Sequence, residues 1–275
     1  MPLSIDLTGQ SVLITGGTKG IGLATGLKFG QAGAKAYLTH KWGSADEDAI
    51  RKQFTDIGAP EPVIVQADVA EKDDVKKVIE AVGKHHDALD IFISNVGFAL
   101  VTPTFDDYKL KSYMRTIEYC SWPLISHLKE AKKQFGRYPK YAIGLSSDGP
   151  DRYYPGYDFV ANSKAVLETF VKYISGHLHG ECHVNVVRAG IVLTESFQAT
   201  FGEEFYRFLQ NRGREFCVTP EEVADGIVAA CSGLMDAMSG HVLVIDRGAH
   251  NRDNIIHLLQ AGILVPAPEK SAEQS

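Results

Sequence analysis

The chain of 275 residues has few cysteines, no excess of positive charge and no long hydrophobic run. Its four cysteines are widely spaced, with no Cys-x-x-Cys pair and no histidine at zinc-binding spacing, so we expect neither a disulfide framework nor a metal site. The 28 Lys and Arg residues against 34 Asp and Glu residues give a formal charge of −6. This charge argues against a nucleic-acid partner, because phosphate binding needs a net basic face.

Membrane and export signals are also missing from the sequence. No apolar run approaches the roughly 18 residues that a membrane helix needs. Residues 1–10 have neither the basic start nor the apolar stretch of a secretory leader. We therefore expect a cytoplasmic protein that has no membrane partner.

The composition is that of an ordinary globule, with 44% hydrophobic and 23% charged residues. Short β-branched runs alternate with stretches of helical apolar spacing. The predicted strands are Ser11–Thr15, Ala34–Thr39, Pro62–Ala67, Asp90–Ser94, Tyr141–Ser146, His183–Arg188 and His241–Ile245. The predicted helices lie near 20–32, 44–57, 71–86, 104–134, 157–178 and 219–236. Several strands are continuously apolar, which indicates burial on both faces, as in a parallel sheet covered by helices. The sequence predicts a single-domain, Rossmann-type doubly wound α/β sheet of about seven parallel strands.

A glycine-rich segment follows the first predicted strand and opens the first predicted helix. It reads Thr15-Gly16-Gly17-Thr18-Lys19-Gly20-Ile21-Gly22. Gly16 permits a tight turn, Gly20 lets the backbone approach a pyrophosphate, and Gly22 lets the helix pack closely on the strand. The helix start would offer free N–H groups to the phosphates. This context predicts a dinucleotide site, the alternative being a plain glycine turn.

The end of the second predicted strand indicates which dinucleotide is bound. Residues 38–44 contain no acid to bind the ribose hydroxyls, and Asp46 is the first acid after them. Lys19 and Lys41 could bracket a 2′-phosphate, while His40 or Trp42 could stack near adenine. This pattern favours NADPH/NADP, although the two lysines could also be solvated surface residues.

These motifs together resemble the short-chain dehydrogenase/reductase family over residues 8–248. The match includes the glycine turn, the pair Asp68-Val69 after strand three, the turn Ser94-Asn95-Val96-Gly97, and residues 186–194. The resemblance implies that Gly16, Thr18, Gly20, Ile21 and Gly22 hold the pyrophosphate and that Asp68 and Val69 contact adenine. It implies cofactor contacts for Asn95, Val96 and Gly97, and for Gly190, Val192 and Thr194 at the nicotinamide carboxamide.

The same resemblance implies a domain over residues 1–265 with a lid near 195–217, followed by a flexible tail at 266–275. It also implies a homodimer or homotetramer that associates through the helices near 104–134 and 157–178.

The chain departs from the usual catalytic pair of the family, which is Tyr-x3-Lys. Lys164 is in place, but Val160 stands four residues before it, and Tyr157 gives a Tyr-x6-Lys spacing. This spacing resembles that of the divergent enoyl-acyl-carrier-protein reductases. Seven residues are two helical turns, so Tyr157 and Lys164 share one face, with the tyrosine Cα roughly 4.5 Å further along the helix than in the usual pair.

The displaced tyrosine suggests which bond is reduced. In an α,β-unsaturated thioester the hydride goes to the β-carbon, and negative charge develops on the more distant carbonyl oxygen, where the Tyr157 hydroxyl could stabilise it. Lys164 would lie over the nicotinamide ribose and lower the tyrosine pKa. Ser146 or Ser147 could polarise a carbonyl or merely cap a turn. Tyr157 could instead be a packing residue, with Tyr153 or Tyr154 as the acid.

We therefore predict an NADPH-dependent reductase of a conjugated carbon–carbon double bond, in fatty acid or polyketide metabolism. An aromatic stripe in the lid region suits a hydrophobic or acyl-thioester substrate, although core packing would explain it equally. Nearby arginines could guide a carrier protein or could simply be solvated. The alternatives are an NADPH-dependent ketoreductase of a polyketide or other secondary metabolite, and a non-catalytic dinucleotide-binding protein.

Overall fold

The structure is a computed structural model that describes residues 4–43 and 45–252. Its strands are β1 (Ser11–Ile14), β2 (Lys35–His40), β3 (Val63–Gln66), β4 (Ile91–Ser94), β5 (Tyr141–Ser147), β6 (His183–Ala189), β7 (Ile191–Val192), β8 (Cys217–Val218) and β9 (Val242–Ile245). Its α-helices are α1 (Gly20–Gln31), α2 (Glu47–Asp56), α3 (Lys72–Gly83), α4 (Leu110–Cys120), α5 (Trp122–Phe135), α6 (Asp158–His177), α7 (Glu195–Phe201), α8 (Glu203–Arg212) and α9 (Pro220–Ala230). Single 3₁₀ turns cover Phe105–Asp107, Arg214–Phe216 and Ala249–Asn251.

Seven strands form one parallel sheet in the order β3-β2-β1-β4-β5-β6-β9. All seven correspond to predicted strands, so the predicted Rossmann-type fold is confirmed. The chain first winds outward from β1 to β3 and then crosses back to β4, which pairs with the other side of β1. This reversal opens a crevice at the carboxyl ends of β1 and β4, the usual ligand position in such sheets.

The sheet is buried on both faces because its side chains alternate between two apolar layers. In β1, Val12 and Ile14 pack in one layer and Leu13 packs in the other. The first layer includes residues of α1, α2 and α9, and the second includes residues of α3, α5 and α6. This two-sided burial explains why the strands read as continuous apolar runs.

The helical stretch predicted near 104–134 is two helices with a break at Ser121. Helix α4 ends at Cys120, and Pro123 is near the start of α5. Proline lacks an N–H group, so it fits the first turn of a helix and interrupts a continuous one. The Ser121 hydroxyl donates a 2.7 Å hydrogen bond to the carbonyl of Ser163, which fixes the break against α6.

The predicted lid region folds as α7 and α8, between the small strands β7 and β8, which pair with each other. The predicted tail at 266–275 lies outside the described residues. Within residues 4–43 and 45–252, no helix has both the length and the apolar character to cross a bilayer.

Candidate active site

The glycine turn lies at the carboxyl end of β1, in the crevice of the sheet. Gly16 and Gly20 have φ angles of 63° and 55°, which glycine adopts without strain. A Cβ on Gly22 would lie 2.3 Å from the Gly16 carbonyl oxygen, so no larger residue fits there. The Asn95 side chain after β4 donates hydrogen bonds to the carbonyls of Thr15 (2.9 Å) and Gly16 (3.1 Å). Asn95 therefore holds the turn open toward the start of α1.

The segment after β6 faces this turn from the other side of the crevice. A Cβ on Gly20 would lie 3.5 Å from the Thr194 side chain, so these two predicted residues are neighbours. Thr194 caps α7 by accepting a hydrogen bond from the Phe197 N–H. Gly190 packs against Asp246, where a Cβ would be 2.8 Å from the Asp246 Cβ.

These residues fit a bound dinucleotide. The turn presents glycine backbone and the open start of α1, which suit a pyrophosphate. Space also remains at Gly97, where a Cβ would meet no atom within 4 Å. The other predicted cofactor residues of the crevice are half-buried or buried along the same edge of the sheet; they are Thr18, Ile21, Val69, Val96 and Val192.

A cluster of four side chains lies near the carboxyl ends of β2 and β3, and we call it the Lys41 cluster: Lys41, Asp68, Arg115 and Tyr119. The Lys41 Nζ is 2.6 Å from both the Asp68 carboxylate and the Tyr119 hydroxyl oxygen. The Tyr119 hydroxyl donates to Asp68 at 2.8 Å and accepts from Arg115 at 3.1 Å. Burial opposes ionisation of Asp68, but its hydrogen bonds and the Lys41 charge outweigh burial and hold the pKa of this carboxyl below its usual value.

Sequence reasoning found Lys41 and Asp68 but missed Arg115 and Tyr119. They lie four residues apart on α4, on one helical face. That spacing was a weak signal, because nothing in it indicates that the face meets the end of β2.

The other residues predicted for the adenosine end have separate partners. Lys19 forms an exposed ion pair of 2.9 Å with Glu195, the first residue of α7. His40 accepts a hydrogen bond from the Gly43 N–H and lies 3.6 Å from the Glu47 carboxylate. The Trp42 ring is exposed, with the Lys41 ammonium 5.3 Å from its centroid. The structure thus brings together Lys41, Trp42 and Asp68 and places Lys19 beside the lid.

The predicted acid lies where β5 and α6 meet. Tyr157 is the residue before α6, and its hydroxyl donates a 3.3 Å hydrogen bond to the Ser147 hydroxyl at the end of β5. Burial raises the pKa of Tyr157 to about 12, so the phenol is protonated at neutral pH. Lys164 is buried, and its ammonium donates to the Leu145 carbonyl at 2.7 Å. Burial lowers the pKa of Lys164, with the nearby Cys120 and Glu168 opposing the shift.

The two predicted serines point to opposite sides of β5. Ser147 lies beside Tyr157, whereas the Ser146 hydroxyl donates a 2.6 Å hydrogen bond to buried Glu168. Because neighbouring side chains of a strand alternate between faces, only one of the two can reach the Tyr157 hydroxyl. The structure therefore brings Ser147, and not Ser146, to the predicted acid.

A buried ion pair behind the site also escaped sequence reasoning. Arg188 of β6 donates to Glu168 of α6 through Nε (3.0 Å) and Nη2 (2.6 Å), and it also pairs with Asp151. Asp151 belongs to the loop that leads from β5 to Tyr157. The pair thus ties that loop to the sheet and to α6.

The alternative acids have other positions. Tyr153 is 82% exposed, away from the enclosed part of the site. The Tyr154 hydroxyl donates to the Asp148 carboxylate at 2.5 Å, and burial together with this carboxylate raises its pKa. Tyr157 is thus the tyrosine of the three whose hydroxyl meets Ser147.

One aromatic residue of the lid contacts the predicted acid, and two more pack beside it. The Phe201 ring lies 5.4 Å from the Tyr157 ring and 5.9 Å from the Tyr154 ring. Phe197 and Phe205 extend this group at ring distances of 4.8 and 6.4 Å from Phe201. Beneath the ring, Gly149 leaves room for Tyr157, because a Cβ there would lie 2.9 Å from a Tyr157 ring carbon. The site is a polar pair under an apolar cover.

Comparison with known proteins identifies the family. A family model described as Enoyl-(Acyl carrier protein) reductase matches residues 16–250. The chain is 26% identical to an enoyl-acyl-carrier-protein reductase (NADH) of Neisseria meningitidis serogroup B, over 88% of this chain and 95% of that protein. It is 23% identical to 11-beta-hydroxysteroid dehydrogenase A of Sesamum indicum, over 88% of this chain and 70% of that protein.

A solved structure has the same fold. It is a short chain dehydrogenase from Burkholderia cenocepacia in complex with NADP, which superposes with a TM-score of 0.76 at 22% identity and covers 89% of this chain and 99% of that one.

The fold and the crevice define an oxidoreductase that uses a nicotinamide dinucleotide. The chain belongs to the short-chain dehydrogenase/reductase family, and the predicted resemblance is confirmed.

Proposed function

We propose that the protein is an NADPH-dependent reductase of the carbon–carbon double bond in an α,β-unsaturated carbonyl compound or enoyl thioester. The observation that carries this proposal is the position of the Tyr157 hydroxyl, 3.3 Å from Ser147, at the residue that precedes α6, the helix that carries Lys164. The nicotinamide, when bound, supplies the hydride.

The chain's own groups would act on the far end of the conjugated system. Tyr157 and Ser147 form a pair of hydroxyl donors that can hydrogen-bond a carbonyl oxygen as negative charge develops on it. The raised pKa of Tyr157 keeps its proton available for this bond. Lys164 is held by the Leu145 carbonyl and would orient the cofactor ribose with its ammonium group. Phe201 over Tyr157 would exclude water from the reacting carbonyl.

The apolar cover supports a hydrophobic substrate. Phe201 contacts the Tyr157 ring, and Phe197 and Phe205 continue the aromatic surface from Phe201. An apolar surface beside the proposed acid suits an acyl or polycyclic group. Guidance of an acyl carrier protein by lid arginines has weaker support, since Arg207 is already paired with Glu203 at 2.5 Å.

The choice of NADPH rests on the end of β2. No acidic residue stands where a ribose-binding acid would be expected, and Lys41 lies at that position instead. A single cation there favours an added phosphate over a free hydroxyl.

A ketoreductase is the second candidate, and similarity to a hydroxysteroid dehydrogenase favours it. In a ketone the oxygen and the hydride acceptor share one carbon. The family's usual acid stands four residues before the lysine, and here that position is Val160, which has no proton to give. A non-catalytic dinucleotide-binding protein is the third candidate.

The test is oxidation of NADPH with crotonyl and acetoacetyl thioesters, using wild type and Tyr157→Phe. We expect turnover of the crotonyl substrate and a loss of at least about 100-fold in kcat for the variant, since general acids typically contribute this much. Turnover of the acetoacetyl substrate alone would establish the ketoreductase instead. NADPH binding without turnover of either thioester would support the third candidate.

We also propose a homodimer or homotetramer in the cytoplasm. Exposed apolar side chains lie on the outer faces of α4 and α6, among them Leu110, Met114 and Tyr173. A second copy of the chain would bury them. Sedimentation velocity should give at least twice the monomer mass of 30.1 kDa, and a purely monomeric species would refute association.

A further inference from the structure

The Lys41 cluster contains a cation that the proposed function does not yet use. Arg115 reaches the cluster from α4, and its side chain is about half exposed, so a ligand can approach it. Arg115 also pairs with exposed Glu118 at 3.2 Å, through Nη1, while its Nη2 binds the Tyr119 hydroxyl. The Nη2 group of Arg115 and the Lys41 ammonium therefore meet at the same hydroxyl oxygen.

We propose that Arg115 and Lys41 together bind the 2′-phosphate of NADP(H), and that Tyr119 positions both cations. This inference rests on the NADPH preference proposed above and assigns it to residues of two separate elements. It makes Arg115 a specificity-determining residue for the cofactor.

The geometry of the two cations matches a phosphate. The Lys41 and Arg115 nitrogens lie 2.6 and 3.1 Å from the same Tyr119 oxygen, so they are no more than about 6 Å apart. A phosphate can accept hydrogen bonds from both at this separation, and a guanidinium can present two parallel donors to it. Adenosine without the 2′-phosphate offers only a neutral hydroxyl at that place.

The charges favour the same ligand. Two cations share one neutral hydroxyl oxygen, and of these two cations it is Lys41 that pairs with Asp68, which is mostly buried. Like charges this close repel each other, and a dianion between them removes the repulsion. Glu118 balances Arg115 from the exposed side, where water screens the pair.

Tyr119 is fixed well enough to act as the positioning residue. Its ring is 3% exposed and packs against Phe98 at a ring distance of 4.9 Å. Its hydroxyl donates to Asp68 and accepts from both cations, so all of its hydrogen-bonding capacity is used. A phenylalanine at this position would keep the packing and remove the hydroxyl that links the two cations, leaving Lys41 paired with Asp68 and Arg115 with Glu118.

The test compares two small ligands that differ only in the 2′-phosphate, adenosine 2′,5′-bisphosphate and 5′-AMP, by isothermal titration calorimetry. Wild type should bind the bisphosphate more tightly. Arg115→Ala should weaken bisphosphate binding about tenfold or more, the size of one charge-assisted hydrogen bond, and leave 5′-AMP binding within about twofold. Arg137→Ala is the matched control, because Arg137 is equally exposed but pairs with Asp90 at the amino end of β4. This control should change neither affinity.

Tyr119→Phe separates positioning from folding. We expect it to lower the ratio of the two affinities several-fold, with a circular dichroism spectrum and thermal midpoint close to those of wild type. Equal losses for both ligands in Arg115→Ala, or an unchanged ratio in it, would overturn the inference. If wild type itself shows no preference, the proposed NADPH selectivity also falls. Because no acceptor is present, failure of the thioester assay leaves the result of this experiment intact.

Discussion

Replacing Glu168 with alanine should destabilise the protein strongly. Glu168 and Arg188 are 8% and 7% exposed, and Glu168 accepts three hydrogen bonds, two from Arg188 and one from Ser146. The alanine variant would leave a guanidinium buried without its main partner. Removing one member of a buried ion pair typically costs about 3–5 kcal/mol.

The structure places the expected loss at the low end of that range. Arg188 keeps its contact with Asp151, whose side chain is 46% exposed and can follow the guanidinium toward water. We therefore expect a loss of about 3 kcal/mol, a large part of the roughly 5–15 kcal/mol that stabilises a typical domain. Movement of Asp151 with the guanidinium should also displace the loop before Tyr157, to which Asp151 belongs.

Equilibrium unfolding in urea measures this loss from the shift in midpoint at a constant slope. Glu80→Ala is the control, since Glu80 forms an exposed pair with Lys76 at 3.5 Å and should lose no more than about 0.5 kcal/mol. The double variant Glu168→Met, Arg188→Met should recover most of the stability, because no charge is left buried. A loss below about 1 kcal/mol in Glu168→Ala, or an equal loss in the double variant, would refute the reasoning.

Two further predictions concern the site and the core. Gly149→Ala should displace the Tyr157 ring, because the added Cβ would lie 2.9 Å from it, and should lower kcat about tenfold with NADPH affinity unchanged. The control is Gly176→Ala, whose Cβ would meet no atom within 4 Å. Equal activities of the two variants would contradict this account. Burial lowers the pKa of His127 to about 4, although the hydrogen bond that its ring donates to the Pro123 carbonyl opposes this shift. The unfolded chain therefore binds a proton at a higher pH than the folded protein does. The contribution of neutral His127 to stability is complete above about pH 6.5 and is lost as the pH falls toward 4. Urea unfolding should show a decline of about 3 kcal/mol over that window, and His127→Leu should flatten it; identical slopes for both proteins would exclude His127 as the cause.

Much of the fold could be predicted because its signals are local. Continuous apolar strands and helical spacing depend on residues a few positions apart, and each β-branched run became a strand of the sheet. The exception at Ser121 shows the limit. Apolar spacing continued across it, while Pro123 and the bond from Ser121 to Ser163 divided the helix.

The site was predictable only where the chemistry was encoded within one turn or one helix. The sequence by itself determined the glycine turn, whose residues are consecutive. Helical periodicity predicted a shared face for Tyr157 and Lys164, whereas in the structure Tyr157 precedes the first residue of α6. Only the tertiary structure decided that Ser147 rather than Ser146 meets Tyr157, since the twist and facing of β5 depend on the sheet around it. It also decided that Tyr119 meets Lys41, 78 residues away, because that contact depends on how α4 packs beside β2 and β3. Contacts at such separation follow from the packing of whole elements, which no local pattern encodes.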